Sequence, residues 1–135
     1  MSRDSDDAEL FTKLDNLIAV IITGKNIIIG SYTYTNAGGT QSIQEVSNIL
    51  KIRVKGIIVD CTNLTQNGTL GFWAKVDGVN YRQLKTASFT VASDDSIMLN
   101  IDLDCNYDFK FTWTEGGDEG ADRALPFQLS YEINN

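Results

Sequence analysis

The chain has 135 residues with no histidine, one proline and 18 acidic against 11 basic side chains, for a net charge of -7. This length predicts one domain with its own hydrophobic core, since chains of about 150 residues bury roughly two thirds of their extended surface without metals or disulfides. The composition excludes histidine-based catalytic triads and argues against zinc sites and nucleic-acid binding, because an acidic chain repels phosphate. No apolar run is long enough for a membrane-spanning helix.

Residues 1–25 are predicted to form an arm and a short α-helix. Asp6 and Glu9 have the spacing of a helix capping box, and neither Gly nor Pro follows until Gly24. Apolar side chains spaced four, three and four, as in a coiled coil, are Leu10, Leu14, Leu17 and Ile21. Two interpretations remain open. The helix either covers one end of its own domain or is an anchoring and oligomerisation stem.

Residues 26–135 are predicted to form the β domain, because the hydrophobic period falls to two and turn signals recur about every eight to twelve residues. The expected strand segments lie at about 27–35, 50–61, 70–76, 79–83, 87–91, 97–105, 107–113 and 125–133. A parity shift predicts a bulge at Gly56, Asp77-Gly78 predicts a two-residue hairpin, and a corner is expected near Asn106. The fold class is therefore all-β: a single antiparallel β-sandwich, jelly-roll or immunoglobulin-like, of about seven to eight strands after the helix.

Charge is separated along the predicted strands. Six basic and three acidic side chains lie between residues 45 and 91, whereas nine acidic side chains and one lysine lie between 92 and 122. Outward-facing positions of two strands carry the opposite charges Lys51, Arg53, Lys55, Asp102 and Asp104. We expect these sets to pair either across one sheet or across a subunit boundary. The two aspartates are also candidates for a glycosidase carboxylate pair, but a solvated sheet face is the better interpretation.

The cysteines are expected to be buried free thiols. The polar start of the chain, Met1 to Glu9, lacks the parts of a secretory signal, so synthesis in a reducing cytosol is expected. A disulfide between Cys61 and Cys105 is the alternative, and a reactive thiol is less expected because no histidine is present to activate one.

Two further groups of side chains suggest ligands. Oxygen donors within eight residues, Glu115, Asp118, Glu119 and Asp122, suit calcium but lack the order of an EF-hand. A solvated loop, or one contacting a neighbouring subunit, is the preferred interpretation of that segment. Aromatic side chains whose facing the pattern leaves open, and which could stack on sugars or pack in the core, are Tyr32, Tyr34, Trp73 and Tyr81.

The stretches KVDGVNYRQL (75–84), SFTV (88–91), DCNYDF (104–109) and DEGADRALPF (118–127) are similar to small structural proteins of tailed bacteriophages and related viruses. The resemblance covers about residues 45–133. Those proteins pair a short N-terminal helix or arm with a β-sandwich or jelly-roll head, and they serve as capsid decoration proteins or short fibres. The resemblance implies no catalytic residue.

From the resemblance we expect a non-enzymatic virion structural protein that is made in the host cytoplasm and located on the virion surface. It would self-associate through the N-terminal helix, as a trimer, and bind a major capsid protein or another virion protein. Host-surface glycans are a further candidate partner, whereas no cofactor, nucleic acid or membrane is expected. The alternative function is a ligand-binding β-sandwich module for glycans or calcium.

Overall fold

The computed structural model describes residues 25–47 and 51–133, in which eight β-strands occur. The strands are β1 Lys25–Tyr34, β2 Thr40–Val46, β3 Ile52–Asp60, β4 Gly68–Ala74, β5 Arg82–Phe89, β6 Ser96–Cys105, β7 Phe109–Glu115 and β8 Arg123–Ile133. Over these residues the fold is all-β, and no helix in them is long and apolar enough to span a membrane. The predicted N-terminal helix and its apolar stripe lie outside the described residues.

The strands form two four-stranded antiparallel sheets packed face to face. The first sheet has the order β1-β8-β3-β6 and the second has the order β2-β7-β4-β5. Every connection crosses from one sheet to the other except that between β4 and β5, which join as neighbours. Packing the two sheets face to face buries one side of each strand, because successive side chains point to opposite faces.

The core lies between the inner faces of the two sheets. Its largest side chains are aromatic, and Phe72 packs against Phe111 with ring centroids 5.2 Å apart and against Phe109 at 5.9 Å. Phe89 packs against the fully buried Trp113 at 5.9 Å. Offset and tilted ring contacts of this kind add to the burial of apolar surface, which is the main stabilising contribution in a domain of this size.

The predicted bulge at Gly56 is confirmed. The register of β3 shifts between Val54 and Gly56 against both of its neighbours, β6 and β8. On β6 the extra residue is accommodated at Asp102, whose φ of 51° lies in the left-handed region that aspartate tolerates better than most residues. A Cβ atom at Gly56 would lie 2.6 Å from the carbonyl oxygen of Leu99, so the close approach of β6 requires glycine here.

The corner near Asn106 is confirmed, since β6 ends at Cys105 and β7 begins in the other sheet at Phe109. Three local expectations are wrong. Residues 40–46 form β2, although their polar sequence gave no strand signal, and one strand, β5 at 82–89, stands in place of the two expected at 79–83 and 87–91. Asp77-Gly78 is not a two-residue hairpin: residues 75–81 connect β4 to β5, and Asp77 Oδ1 accepts hydrogen bonds from the backbone N–H groups of Val79 and Asn80.

Candidate functional site

The charged side chains predicted from β3 and β6 meet on the outer face of the first sheet. Arg53 donates from Nε to Asp102 Oδ1 at 2.8 Å and from Nη1 to Asp104 Oδ1 at 2.9 Å. Lys55 Nζ donates to Asp102 Oδ1 at 3.0 Å. Arg53 and Asp104 are register partners, and the bulge brings Lys55 beside Asp102. We call these four side chains the ion-pair ladder; Lys51, just before β3, is exposed and lies outside it.

The ladder is an exposed electrostatic feature. The side chains of Asp102 and Asp104 are 59% and 63% exposed, and each pair therefore contributes little to stability. Hydrogen bonds from Arg53 and then Lys55 lower the pKa of Asp102 to about 2. Those partners are cations within the same sheet, so this chain satisfies its own ladder charges without a second subunit.

The acidic loop does not converge on a metal. Asp122 Oδ1 accepts from the N–H of Asn36 at 2.8 Å, Asp118 Oδ1 accepts from Gly120 N–H at 2.9 Å, and Glu115 Oε2 accepts from Glu119 N–H at 3.2 Å. Across residues 25–47 and 51–133, no three acidic, cysteine or histidine side chains are arranged to hold a metal ion. Each carboxylate instead organises a piece of loop backbone.

Glu119 departs from the expected solvated loop, because it is buried. Its Oε1 accepts from the backbone N–H of Thr65 at 2.9 Å and from the Thr65 hydroxyl at 2.8 Å, and its Oε2 accepts from Gln66 N–H at 3.1 Å. Arg123 Nε lies 3.4 Å from Oε1, and only 1% of the Glu119 side chain is exposed. We call this arrangement the Glu119 clamp. It ties the loop after β3 to the loop before β8.

The aromatic candidates divide between the core and the outer face of the second sheet. Tyr34 is fully buried, and its hydroxyl donates to the carbonyl oxygen of Gly39, while Tyr32 donates to Gln41 Oε1 at 2.8 Å. Trp73 Nε1 donates to Thr112 Oγ1 at 2.8 Å. The Lys110 ammonium lies over the Trp73 ring, 5.8 Å from its centroid, and also over the Tyr81 ring, at 4.3 Å. The faces of the two outward-facing rings, Trp73 and Tyr81, are therefore covered by a lysine ammonium.

The two cysteines are free and buried, as expected. Cys61 follows the end of β3, whereas Cys105 pairs with Ile52 at the beginning of that strand. About nine residues of extended strand separate the two positions, or roughly 30 Å at about 3.3 Å per residue, which is too far for a disulfide. Burial raises the pKa of the Cys61 thiol to about 12 and that of Cys105 to about 11, so both stay protonated at neutral pH.

An exposed row of side chains, apolar except for Gln128, crosses the outer face of the first sheet and was not predicted from the sequence. The register places Ile29 beside Gln128, Gln128 beside Ile58, and Ile58 beside Met98, one residue from each strand. Ile29 is 80% exposed, and Ile27 on the same strand is 55% exposed. Next to the row a shallow groove is floored by Gly56 and Ser130. The signal available in the sequence was strand parity, which places isoleucine at solvent-facing positions of β1.

Comparison with known proteins gives likeness in fold alone. No protein-family model matches the sequence, and no curated protein sequence matches it either. A chain from the capsid of Helicobacter pylori bacteriophage KHP30 superposes with a TM-score of 0.51 at 10% identity, over 82% of this chain and 94% of that one.

Two further solved structures are less similar. A Bacillus endospore appendage pilus protein has a TM-score of 0.49 at 14% identity, covering 82% of this chain and 88% of that chain. The subviral particle protein VP2 of infectious bursal disease virus has 0.45 at 15% identity, and the match covers 81% of this chain but 32% of that one. At 10% identity, the likeness to the KHP30 capsid chain shows a shared fold and nothing about activity.

Proposed function

We propose that the protein is a non-enzymatic virion structural protein, a capsid decoration or short fibre protein. The observation that carries the proposal is the strand order: β1-β8-β3-β6 packed on β2-β7-β4-β5 is the arrangement of an eight-stranded jelly roll, a fold that recurs in viral capsid proteins. The likeness to the KHP30 capsid chain, which spans nearly all of that chain, supports the same assignment.

The surface chemistry also supports a structural role. The buried thiols stay protonated, the loop carboxylates hold backbone, and the ladder aspartates are paired with cations. Within the described residues these groups are therefore buried or engaged inside the fold, which suits a protein that works by assembly. We further propose that its partners are copies of itself, joined through the N-terminal stripe, and a major capsid or other virion protein.

Self-association through the stripe is tested in the full chain with Leu14→Asp and Leu17→Asp combined. We expect the wild-type protein to be a trimer by light scattering after size exclusion, and we expect the double variant to lose that trimer, because charges in a coiled-coil seam are not tolerated. Near-UV circular dichroism should stay unchanged. The matched control, Thr12→Asp with Asn16→Asp, adds the same charge outside the stripe and should leave the trimer intact.

The measured oligomeric state distinguishes the virion structural protein from the alternative, a ligand-binding β-sandwich module. A trimer that survives Leu14→Asp with Leu17→Asp would rule out the stem. A wild-type chain that is a monomer at all concentrations would contradict self-association. It would favour the ligand-binding module, which calcium titration of tryptophan fluorescence and a glycan array would then examine.

A further inference from the structure

The four edge strands of the sandwich are not equally protected against pairing with another strand. Three of them carry charges or a bulge. β2 has a register shift and Glu45, β5 has a shift with Arg82 and Lys85, and β6 has the bulge at Asp102 with Asp104 beyond it. Charges and bulges on edges are the usual means by which β proteins avoid joining edge to edge.

Apart from Lys25, its first residue, β1 carries no charge, and it has no bulge. It pairs with β8 over ten consecutive residues without a register shift. The chain carries no charged residue from 26 to 44, and β1 contains no proline. No described strand pairs with its other side. In an antiparallel strand alternate residues point their N–H and C=O groups to the same side, so about five residues of β1 present backbone groups there that have no partner among the described strands.

The outward side chains of the same strand are apolar. Ile27 and Ile29 are more than half exposed, and Ile29 begins the apolar row that continues to Met98. A strand added beside β1 would place its own outward side chains next to these isoleucines. Neighbouring β-branched side chains on one face of a sheet are the favourable cross-strand pairs.

We propose that the free edge of β1 binds β1 of a second copy of this chain in antiparallel orientation, which joins two β1-β8-β3-β6 sheets into one eight-stranded sheet. The contact is isologous, so each side chain approaches its own symmetry equivalent or that of a near neighbour. In a molecule of net charge -7, such a contact requires a surface without charge, and β1 after Lys25 provides one. The choice of a second copy as the occupant rests on the proposed function.

The strength of the contact follows from its size. An edge of ten residues buries less than the roughly 800 Å² per partner of a standard interface, so we expect reversible, concentration-dependent pairing. Combined with a threefold stem, a twofold edge contact would link trimers to one another. That combination is what a protein arranged on a symmetric capsid surface requires.

The test uses the full chain and light scattering over a hundredfold range of concentration. Ile27→Lys with Ile29→Lys is introduced both into the wild-type chain and into the Leu14→Asp, Leu17→Asp background. In that background we expect a dimer at high concentration that the two lysines convert to a monomer at every concentration. Both isoleucines are solvent-exposed, so near-UV circular dichroism should show an unchanged fold. Leu84→Lys with Thr86→Lys, two exposed positions on the charged edge strand β5, is the charge-matched control and should leave the dimer intact.

Cross-linking gives a second measurement that does not depend on affinity. Single variants Ile27→Cys, Ile29→Cys and Ser31→Cys are oxidised, with the buried Cys61 and Cys105 serving as internal controls that should not react. We expect covalent dimers to peak at the position nearest the twofold axis and Leu84→Cys to give none. Equal masses with and without the lysines, together with no position-dependent cross-linking, would overturn the proposal. A wild-type chain that forms no trimer, while the lysine-sensitive dimer remains, would instead count against the stem and not against the edge contact.

Discussion

Glu119 accepts three hydrogen bonds and Asp102 accepts two, and these two carboxylates lie in opposite surroundings. Glu119 is 1% exposed and holds two loops through Thr65, Gln66 and Arg123. Asp102 is 59% exposed and accepts from Arg53 and Lys55 at the sheet surface. When a buried carboxylate is removed, its hydrogen-bond donors are left without an acceptor, because water does not reach them. When an exposed carboxylate is removed, water takes over its hydrogen bonds. The burial of these contacts, more than their number, therefore decides how much they contribute to stability.

The largest effect is expected from Glu119→Ala, which removes the Glu119 clamp. The N–H groups of Thr65 and Gln66 lose their acceptor, and Arg123 loses its counter-charge. Removing one partner of a buried, hydrogen-bonded charge costs about 3 to 5 kcal/mol. We expect a loss of that order in the free energy of unfolding, measured by urea denaturation followed through tryptophan fluorescence.

Asp118→Asn is the matched control for the clamp. It lies in the same loop and is exposed, and its one bond to the N–H of Gly120 can be made by an asparagine oxygen. Its free energy of unfolding should stay within about 0.5 kcal/mol of the wild-type value, as for most surface substitutions. Equal losses from Glu119→Ala and Asp118→Asn would contradict the role given to burial.

Gly56→Ala tests whether the ion-pair ladder depends on the backbone beneath it. The added methyl group would lie 2.6 Å from the carbonyl oxygen of Leu99, so β6 must move away from β3. Overpacking of this kind typically costs about 1 to 3 kcal/mol. We expect a lower urea midpoint and, by amide hydrogen exchange, faster exchange in β6 around Asn100. A variant with wild-type stability and exchange would show that the bulge tolerates a side chain.

The fold was largely predictable because alternation is a local signal. Leu99, Ile101 and Leu103 alternate with the polar Asn100, Asp102 and Asp104, and this pattern predicts both the strand and its outer face. β2 was missed because five of its seven residues are polar and its two apolar residues, Ile43 and Val46, are three positions apart, which is not an alternating pattern. It is a strand because β7 offers it backbone partners, and such tertiary pairing cannot be read from the segment itself.

The candidate site was predictable only in part, for the same reason. Parity placed Arg53, Lys55 and the two aspartates on outer faces, but their meeting depends on the register of β3 against β6 and on the bulge at Gly56. Glu119 looked like its acidic neighbours, since nothing in a loop sequence tells which carboxylate is turned inward. The exposure of Ile29 likewise follows from its position on an edge strand, and strand order is a property of the whole sheet.

The smallest effect is expected from Asp102→Asn on the ion-pair ladder. Asparagine also tolerates a positive φ, so the backbone of the bulge should be unchanged and only the charge is removed. At pH 7 and low salt we expect a slightly lower urea midpoint than that of the wild type. In 1 M NaCl the two midpoints should coincide, because salt screens exposed charges within a few ångströms.

Lowering the pH should also remove the stability difference between the wild type and Asp102→Asn. The lowered pKa of Asp102 explains why the difference shrinks in acid. Its folded-state value of about 2 lies below the ordinary 3.8, so the ionised carboxylate stabilises the folded state above pH 4. That contribution falls as the pH is lowered from 4 towards 2, and below 2 both states bind the proton. The wild type and Asp102→Asn should therefore differ at pH 7 and converge near pH 2. Asp77, whose pKa is also lowered to about 2, is present in both proteins and cancels in the comparison. Midpoints that diverge on acidification would show that the Arg53 contacts do not favour the ionised form.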